Sequence, residues 1–350
     1  MWISFETTDL PFDKFILIDY NIVHLRKEIK MVDEAVIKKR KRLKSIKEYL
    51  TGYILISPAT LILAIFVIFP SIFVFYISTL NWNMIGPKHF VGLTNYINLL
   101  FRSPYAPEFW HSVLVTVEYV AMSVPLQMGV SLGLAVLLMR PIKFRGFFRT
   151  GIFIAYVTPL VATSIVWMWM FNRDYGLFNA ILKMLHLPTS SWLLGVPSAL
   201  ISIVIYTSWH EIGFSTILFM AGLTTVPKEL QEAARIDGAN ANGVFWNITW
   251  PMLSPTTFFV LIISMIGAFK MFTPVFILTG ETGGPYHSTT TTGFYLYEYA
   301  FNYWKAGYAS AVAVLLFLII FALTLLNMKF TGRKVFYAGE TSTGGTNETA

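Results

Sequence analysis

Six stretches of this chain are apolar over a bilayer-spanning length and nearly free of charge, and crossing a bilayer as a helix takes roughly 20 such residues. They run near Tyr53–Leu80, Val113–Met139, Phe147–Phe171, Pro197–Leu223, Met252–Leu278 and Ala309–Met328. Over the whole chain only 13% of residues are charged and 55% are hydrophobic, against about 25% charged in an ordinary soluble domain. Such a chain cannot cover itself with solvated side chains, so lipid is the solvent for most of it. The expectation is an all-α membrane protein with six transmembrane helices. Prolines 58, 70, 125, 159 and 274 fall inside these stretches. Membrane helices tolerate proline when neighbours re-satisfy the freed carbonyls, so kinks rather than breaks are expected.

Basic residues orient the spans. With the N-terminus inside, twenty Lys and Arg fall on cytoplasmic segments and five on outer loops, with Lys270 within a span. The asymmetry places both termini in the cytoplasm. The net charge of +7 is therefore read as topology, not nucleic-acid binding. The run Lys38-Lys39-Arg40-Lys41-Arg42 fits an anchor on anionic lipid. Residues 1–50 form a cytoplasmic basic segment, 51–334 the six-span domain, and 335–350 a polar tail expected to be disordered. The acidic residues Glu6, Asp9, Asp13 and Asp19 precede the basic cluster, the wrong charge order for a signal peptide. The chain has no cysteine, which removes disulfides and thiol chemistry.

One stretch resists the apolar pattern. "QEAARIDGANANGVFWNITWPMLSP", residues 231–255, lies between two spans and is half polar. Pro227 suits the first turn of a short helix, and Glu229 and Glu232 continue it near its positive end. Asp237-Gly238 breaks it, because glycine supplies the turn. Ala239 to Ile248 forms a second short helix, and Pro251 opens the fifth span. A mere connector needs no such order of acids, alanines and hinge.

This stretch closely resembles the EAA loop of permease subunits of binding-protein-dependent ABC importers. Glu232, Ala233, Ala234, Asp237, Gly238, Ala239, Phe245, Ile248 and Pro251 match that pattern, while Trp250 stands where the family usually has Leu. "SWHEIGF", "MAGLTTVP", "FKMFTPVFILTGETGGPYHSTT" and "FVGLTNYINLLF" extend the likeness to the carbohydrate branch, over about Tyr53 to Lys334. Thr273 replaces a common Asp, "GETGGP" is about two residues longer than usual, and the first thirty residues have no counterpart. Met31 is a candidate start of translation. The resemblance implies a type I ABC importer permease fold, with the loop between spans 4 and 5 as a coupling helix docking on a cytoplasmic ATPase. Glu232, Ala233, Ala234, Asp237, Gly238, Ala239, Phe245 and Pro251 would carry that coupling. Implied partners are a second homologous permease, two ABC ATPase subunits, an extracellular or periplasmic binding protein and membrane lipid, with no nucleic acid and no cofactor.

Polar groups inside spans are expensive and therefore informative. Thr207, His210, Glu211 and Phe214 share a helical spacing in the fourth span. Ser264, Gly267, Ala268 and Met271 form a comparable stripe in the fifth, with Lys270 on its flank. By resemblance to the maltose permease these nine line a substrate pocket. The same charges also fit a purely internal role, with Glu211, His210 and Lys270 satisfying one another. Trp82, Trp110, Trp192 and Trp304 suit interfacial belts. Gly129-xxx-Gly133 is a common type of helix contact. No hydrolytic triad or metal-ligand spacing appears.

The reading is a cell-membrane permease subunit with no chemistry of its own, importing a carbohydrate, of di- or oligosaccharide size, with ATP hydrolysis in partner subunits. Alternatives are another polar solute such as a sugar acid or glycerol phosphate, or an ion-coupled secondary transporter with Glu211 and Lys270 as its relay. Removing residues 1–30 should leave membrane insertion and uptake intact, because the topology-setting cluster lies beyond them. Membrane fractionation and an uptake assay on the truncated chain check this.

Overall fold

A computed structural model of the chain describes Lys30, Met31, Lys44 and residues 47–330. Most of the basic N-terminal segment expected over residues 1–50 and the whole tail over 335–350 lie outside the described residues. The chain divides into two units, Met1–Ile72 and Phe73–Ala350. The boundary falls inside α1 (Lys47–Ser78). In the first unit this helix runs past Pro58 without a break and turns π-helical over Ala64–Ile68. That widened turn precedes Pro70, whose ring would otherwise meet the carbonyl one turn back.

The second unit is helical apart from a two-residue ribbon, β1 (Leu80–Asn81) against β2 (His89–Phe90). After α2 (Thr94–Phe101) and α3 (Tyr105–Met139) come α4 (Arg145–Val157), α5 (Leu160–Met170) and α6 (Leu177–Met184). Then follow α7 (Ser198–Thr224), α8 (Lys228–Ile236) and α9 (Ala241–Met252). Last are α10 (Ser254–Phe269), α11 (Thr273–Leu278), α12 (Thr292–Tyr297) and α13 (Ala306–Phe330).

By length and composition α1, α3 and most of α13 qualify as membrane-crossing helices, and the bent pairs α4–α5 and α9–α10 raise that number to five. α7 has 27 residues, about 40 Å of helix at 1.5 Å per residue. It falls short on composition because serines, threonines, His210 and Glu211 crowd its middle. Most of those groups are shielded by protein instead: Ser202, Thr207, Ser208, His210, Ser215 and Thr216 are all buried, while Glu211 stays partly exposed.

The expectation of kinks rather than breaks at proline holds at Pro125, where α3 is continuous, and fails at two other sites. Around Pro159 the third predicted span is two helices, α4 and α5, meeting at 98°. Thr158 is extended (ψ 143°), as a residue before proline prefers. Near Pro274 the fifth predicted span breaks at Lys270–Phe272, and α11 restarts with the proline in its first turn. Carbonyls released inside an apolar medium need donors. Pro159 leaves the Ala155 carbonyl without its helical N–H, and the Thr158 hydroxyl donates to it at 2.7 Å; Tyr206 braces the start of α5, its hydroxyl donating to the Leu160 carbonyl at 2.9 Å while accepting from Ser164 at 2.9 Å. Thr291 supplies another, donating to the Met271 carbonyl at 2.8 Å.

Small residues let these helices approach closely. α3 and α7 pack along much of their length, with Ser112, Thr116, Ser123 and Ser131 buried on α3. Gly129 and Gly133 make no close helix contact within this chain, since a Cβ at either would meet nothing within 4 Å. The Trp192 indole donates to Asn179 at 2.8 Å, and its ring packs on Phe171 and Phe178.

At the end of the bundle where α3 begins, Tyr299 donates to the Glu108 carboxylate at 2.8 Å. Burial first, and that carboxylate second, hold the Tyr299 phenol well above its ordinary range. Lys305 donates to the Tyr105 hydroxyl at 3.3 Å and lies over the Tyr105 and Tyr299 rings. These contacts fix the turn into α13.

Where α7 crosses α4, an added Cβ at Gly213 would come within 2.5 Å of the Ile152 carbonyl oxygen. Backbone cannot yield as a flexible side chain does. Gly213→Ala should therefore cost roughly 1–3 kcal/mol, the usual penalty of overpacking, seen as a lower melting temperature of the detergent-solubilised protein.

Candidate functional site: a polar cavity among the helices and a hinged loop

The two helix breaks and the polar middle of α7 surround one cavity of about 500 Å³, within the usual 300–1,000 Å³ of small-molecule sites. All nine residues singled out in the fourth and fifth predicted spans border it. α7 contributes Thr207, His210, Glu211 and Phe214, and α10 contributes Ser264, Gly267 and Ala268. The α10–α11 break supplies Lys270 and Met271. A Cβ at Gly267 would meet nothing within 4 Å, so this glycine leaves room on the α10 wall.

The walls are hydroxyl-rich and aromatic. Tyr119 donates to the Thr207 hydroxyl at 2.9 Å, which itself donates to the Ile203 carbonyl at 2.8 Å. Tyr156 stacks on Phe214 with ring centroids 4.9 Å apart and 19° between planes. That pair forms a flat apolar face beside polar edges. Ser123 and Ser208 are both 3% exposed, and neither hydroxyl has a hydrogen-bond partner.

The charges sort themselves differently from a three-way cluster. Glu211 Oε1 lies 3.3 Å from His210 Nδ1. The other His210 nitrogen lies 3.4 Å from the Thr158 carbonyl, at the elbow between α4 and α5. Lys270 is exposed, and no carboxylate among the described residues comes within 4 Å of it. Glu211 therefore pairs with His210 and not with Lys270.

The second group of residues forms a separate feature. Pro227 caps α8, Glu229 sits in its first turn and Arg235 in its last, the charge order that suits a helix dipole. The helix ends in two capping bonds, Ala239 N–H to the Ala234 carbonyl at 2.9 Å and Gly238 N–H to the Arg235 carbonyl at 3.1 Å. This Schellman geometry needs a left-handed residue, and Gly238 supplies φ +88°. Asn240 then caps α9, accepting from Gly243 N–H at 2.8 Å. Glu232, Ala233, Asp237 and Gly238 are exposed, and Ala234 and Ala239 are half-buried against the turn. Phe245 packs edge-on to Trp246 in a π-helical turn, Phe245–Thr249, and Pro251 lies exposed in the last turn of α9.

Residues 127–335 match the family of binding-protein-dependent transport system inner membrane components. The chain belongs to this family. It is 36% identical over 285 residues to the trehalose/maltose transport system permease protein MalF of Thermococcus litoralis, covering 81% of this chain and 94% of that one. Similar likenesses are to the arabinooligosaccharide permease AraP of Bacillus subtilis, 33% identical over 80% of this chain and 88% of that one, and to the sn-glycerol-3-phosphate permease UgpA of Agrobacterium fabrum, 32% identical over 81% and 96%. In fold it is similar to a chain of a bacterial alginate ABC transporter solved with its periplasmic protein, with a TM-score of 0.68, 17% identity, and 83% and 96% of the two chains covered.

The permease is thus a membrane-embedded subunit of an ABC importer that works with a binding protein, and ATP hydrolysis lies in separate subunits. Family membership sets aside the ion-coupled alternative. Among the cavity residues that escaped the sequence reading are Tyr119, Ser123 and Gln127 of α3. They recur every four residues, so a polar stripe within the second apolar stretch was the available signal. Tyr156 was missed because its partner Phe214 lies on another helix.

The pairing of Glu211 with His210 sets an expectation for the permease. Glu211→Gln should cut uptake severalfold without lowering the melting temperature, and adding Lys270→Met should not restore it. Uptake and melting of both single variants and the double check this. Joint rescue of the two would mean that Glu211 and Lys270 are an internal pair after all.

Proposed function

We propose that the permease translocates a carbohydrate, of di- or oligosaccharide size, through the cavity between α3, α7 and α10. The observation that carries this is the cavity's make-up: hydroxyl-bearing walls beside the stacked Tyr156–Phe214 face. A sugar ring has a flat apolar face and a rim of hydroxyls, and such a site answers both. The maltose and arabinooligosaccharide permeases among its relatives support the same class. Thr207, His210, Glu211, Phe214, Ser264, Gly267, Ala268, Lys270 and Met271 are assigned to this pocket.

The topology that fits is six spans over residues 51–334, formed by α1, α3, α4–α5, α7, α10–α11 and α13. Both termini and the α8–α9 loop face the cytoplasm, as the basic-residue asymmetry favours. A second permease, two ATPase subunits and an extracellular binding protein complete the complex. α8 then docks on an ATPase through Glu232, Ala233 and the exposed Leu230 and Ile236. Its displacement reaches the spans through the rigid Schellman turn. ATP-driven closure shifts the population between inward and outward states.

One observation favours a second substrate class. Lys270 borders the cavity without a carboxylate beside it, and a glycerol-3-phosphate permease is among the relatives, so a sugar acid or sugar phosphate is the runner-up. The test is ATP-dependent uptake into proteoliposomes bearing the whole complex and its binding protein. Neutral oligosaccharides should be taken up and phosphorylated glycerol should not compete; the opposite result sinks the neutral-sugar reading.

Coupling makes its own prediction. Proline cannot adopt φ +88° and has no N–H for the Arg235 carbonyl, so Gly238→Pro should leave the permease in the membrane but reduce substrate-stimulated ATP hydrolysis about tenfold or more. Glu232→Lys should act in the same direction by reversing charge at the docking face. Undiminished stimulation in a fully assembled complex would overturn the assignment.

A further inference from the structure

α3 presents Tyr119, Ser123 and Gln127 at i, i+4 and i+8, one face of one helix, and all three border the cavity. Gln127 is 7% exposed and joins three helices there. Its amide nitrogen donates to Ser215 Oγ on α7 at 2.8 Å and to Ser264 Oγ on α10 at 3.2 Å. An amide nitrogen has two hydrogens, so this one has none left.

The consequence falls on the serines. Hydroxyls within apolar helices usually turn back to the carbonyl one turn earlier, and many here do so: Ser202 to Ser198, Thr207 to Ile203, Thr257 to Leu253 and Thr324 to Ile320. Among the described residues Ser215 and Ser264 make no such bond. Each accepts from Gln127 and keeps its own O–H proton. Both border the cavity, so two unspent donors stand at its wall.

We propose that Gln127 is the positioning residue of the substrate site: by donating to Ser215 and Ser264 it holds both hydroxyls as donors toward the acceptor oxygens of the solute. The matching ligand chemistry is a neutral, oxygen-rich molecule, whose ether, ring and hydroxyl oxygens accept what the serines offer. This rests on the carbohydrate reading and adds the α3 wall to it. Removing the amide frees each serine to turn back on its own helix, Ser215 toward the Glu211 carbonyl and Ser264 toward the Val260 carbonyl, which withdraws both protons from the cavity. Placing a carboxylate at position 127 withdraws them as well, because it accepts both.

The experiment uses the whole complex in proteoliposomes with its binding protein. Maltose, trehalose and an arabinooligosaccharide are offered, and the sugar taken up fastest by the unaltered complex is the probe. Gln127→Met and Gln127→Glu should each lower maximal uptake about tenfold, the scale of two ordinary hydrogen bonds. The concentration of loaded binding protein at half-maximal uptake should stay unchanged, since docking outside the membrane does not involve Gln127. Adding Ser264→Ala to Gln127→Met should cause no further loss, because the glutamine acts through that serine. Three results overturn the inference: full uptake by either Gln127 variant, losses that multiply in the double variant, or a loss explained by a falling melting temperature at unchanged uptake per folded complex. If the unaltered complex takes up none of these sugars, the carbohydrate reading fails and this inference with it, an outcome distinct from the other three.

Discussion

A backbone carbonyl inside lipid must have a donor, and the shape of this permease follows from where that demand is met by a side chain instead of by the next helical turn. Two helices break within the bundle, between α4 and α5 at Thr158-Pro159 and between α10 and α11 at Lys270–Phe272. At the first the Thr158 hydroxyl turns back to the Ala155 carbonyl, and at the second Thr291 reaches across from another element to the Met271 carbonyl. Because the breaks open toward α7, the space they leave becomes a cavity lined by protein.

α7 is the helix that makes this economical. Its polar middle would be costly against lipid, yet α3, α4 and α10 cover it. Several of its polar groups then find a helical partner, such as the Ile203 carbonyl for Thr207, or a neighbour across a helix interface, such as Gln127 for Ser215, while the Ser208 and Thr216 hydroxyls stay unpaired. His210 sits between two acceptors, the Glu211 carboxylate and the Thr158 carbonyl. It therefore links the elbow of the third span to the carboxylate at the cavity wall. Aromatic residues fill what the hydroxyls leave, with Tyr156 from α4 lying flat on Phe214 from α7.

The α8–α9 loop solves a different mechanical problem with local forces alone. Two backbone bonds and one left-handed glycine close α8, and one asparagine opens α9. A turn built this way is rigid without tertiary support.

Some of this was legible in the residues. Long apolar runs announced a membrane protein, since a chain with only 13% charged residues cannot cover its surface with solvated side chains. The order Glu232-Ala233-Ala234 and Asp237-Gly238-Ala239 announced the helix, hinge and cap, because Schellman chemistry depends on neighbours in sequence. The spacing of Thr207, Glu211 and Phe214, and of Ser264 and Met271, marked the two helix faces that meet at the cavity. What sequence could not decide was whether a proline bends a helix or ends it. Pro125 leaves α3 whole, whereas Pro159 divides α4 from α5, and at that break the Thr158 hydroxyl takes the Ala155 carbonyl that the proline leaves free. Nor could it decide that Glu211 faces His210 and not Lys270, or that Gln127 reaches Ser215 and Ser264. Those contacts span 88 and 137 positions of chain, and hydrogen bonds between distant segments exist only once the helices have packed.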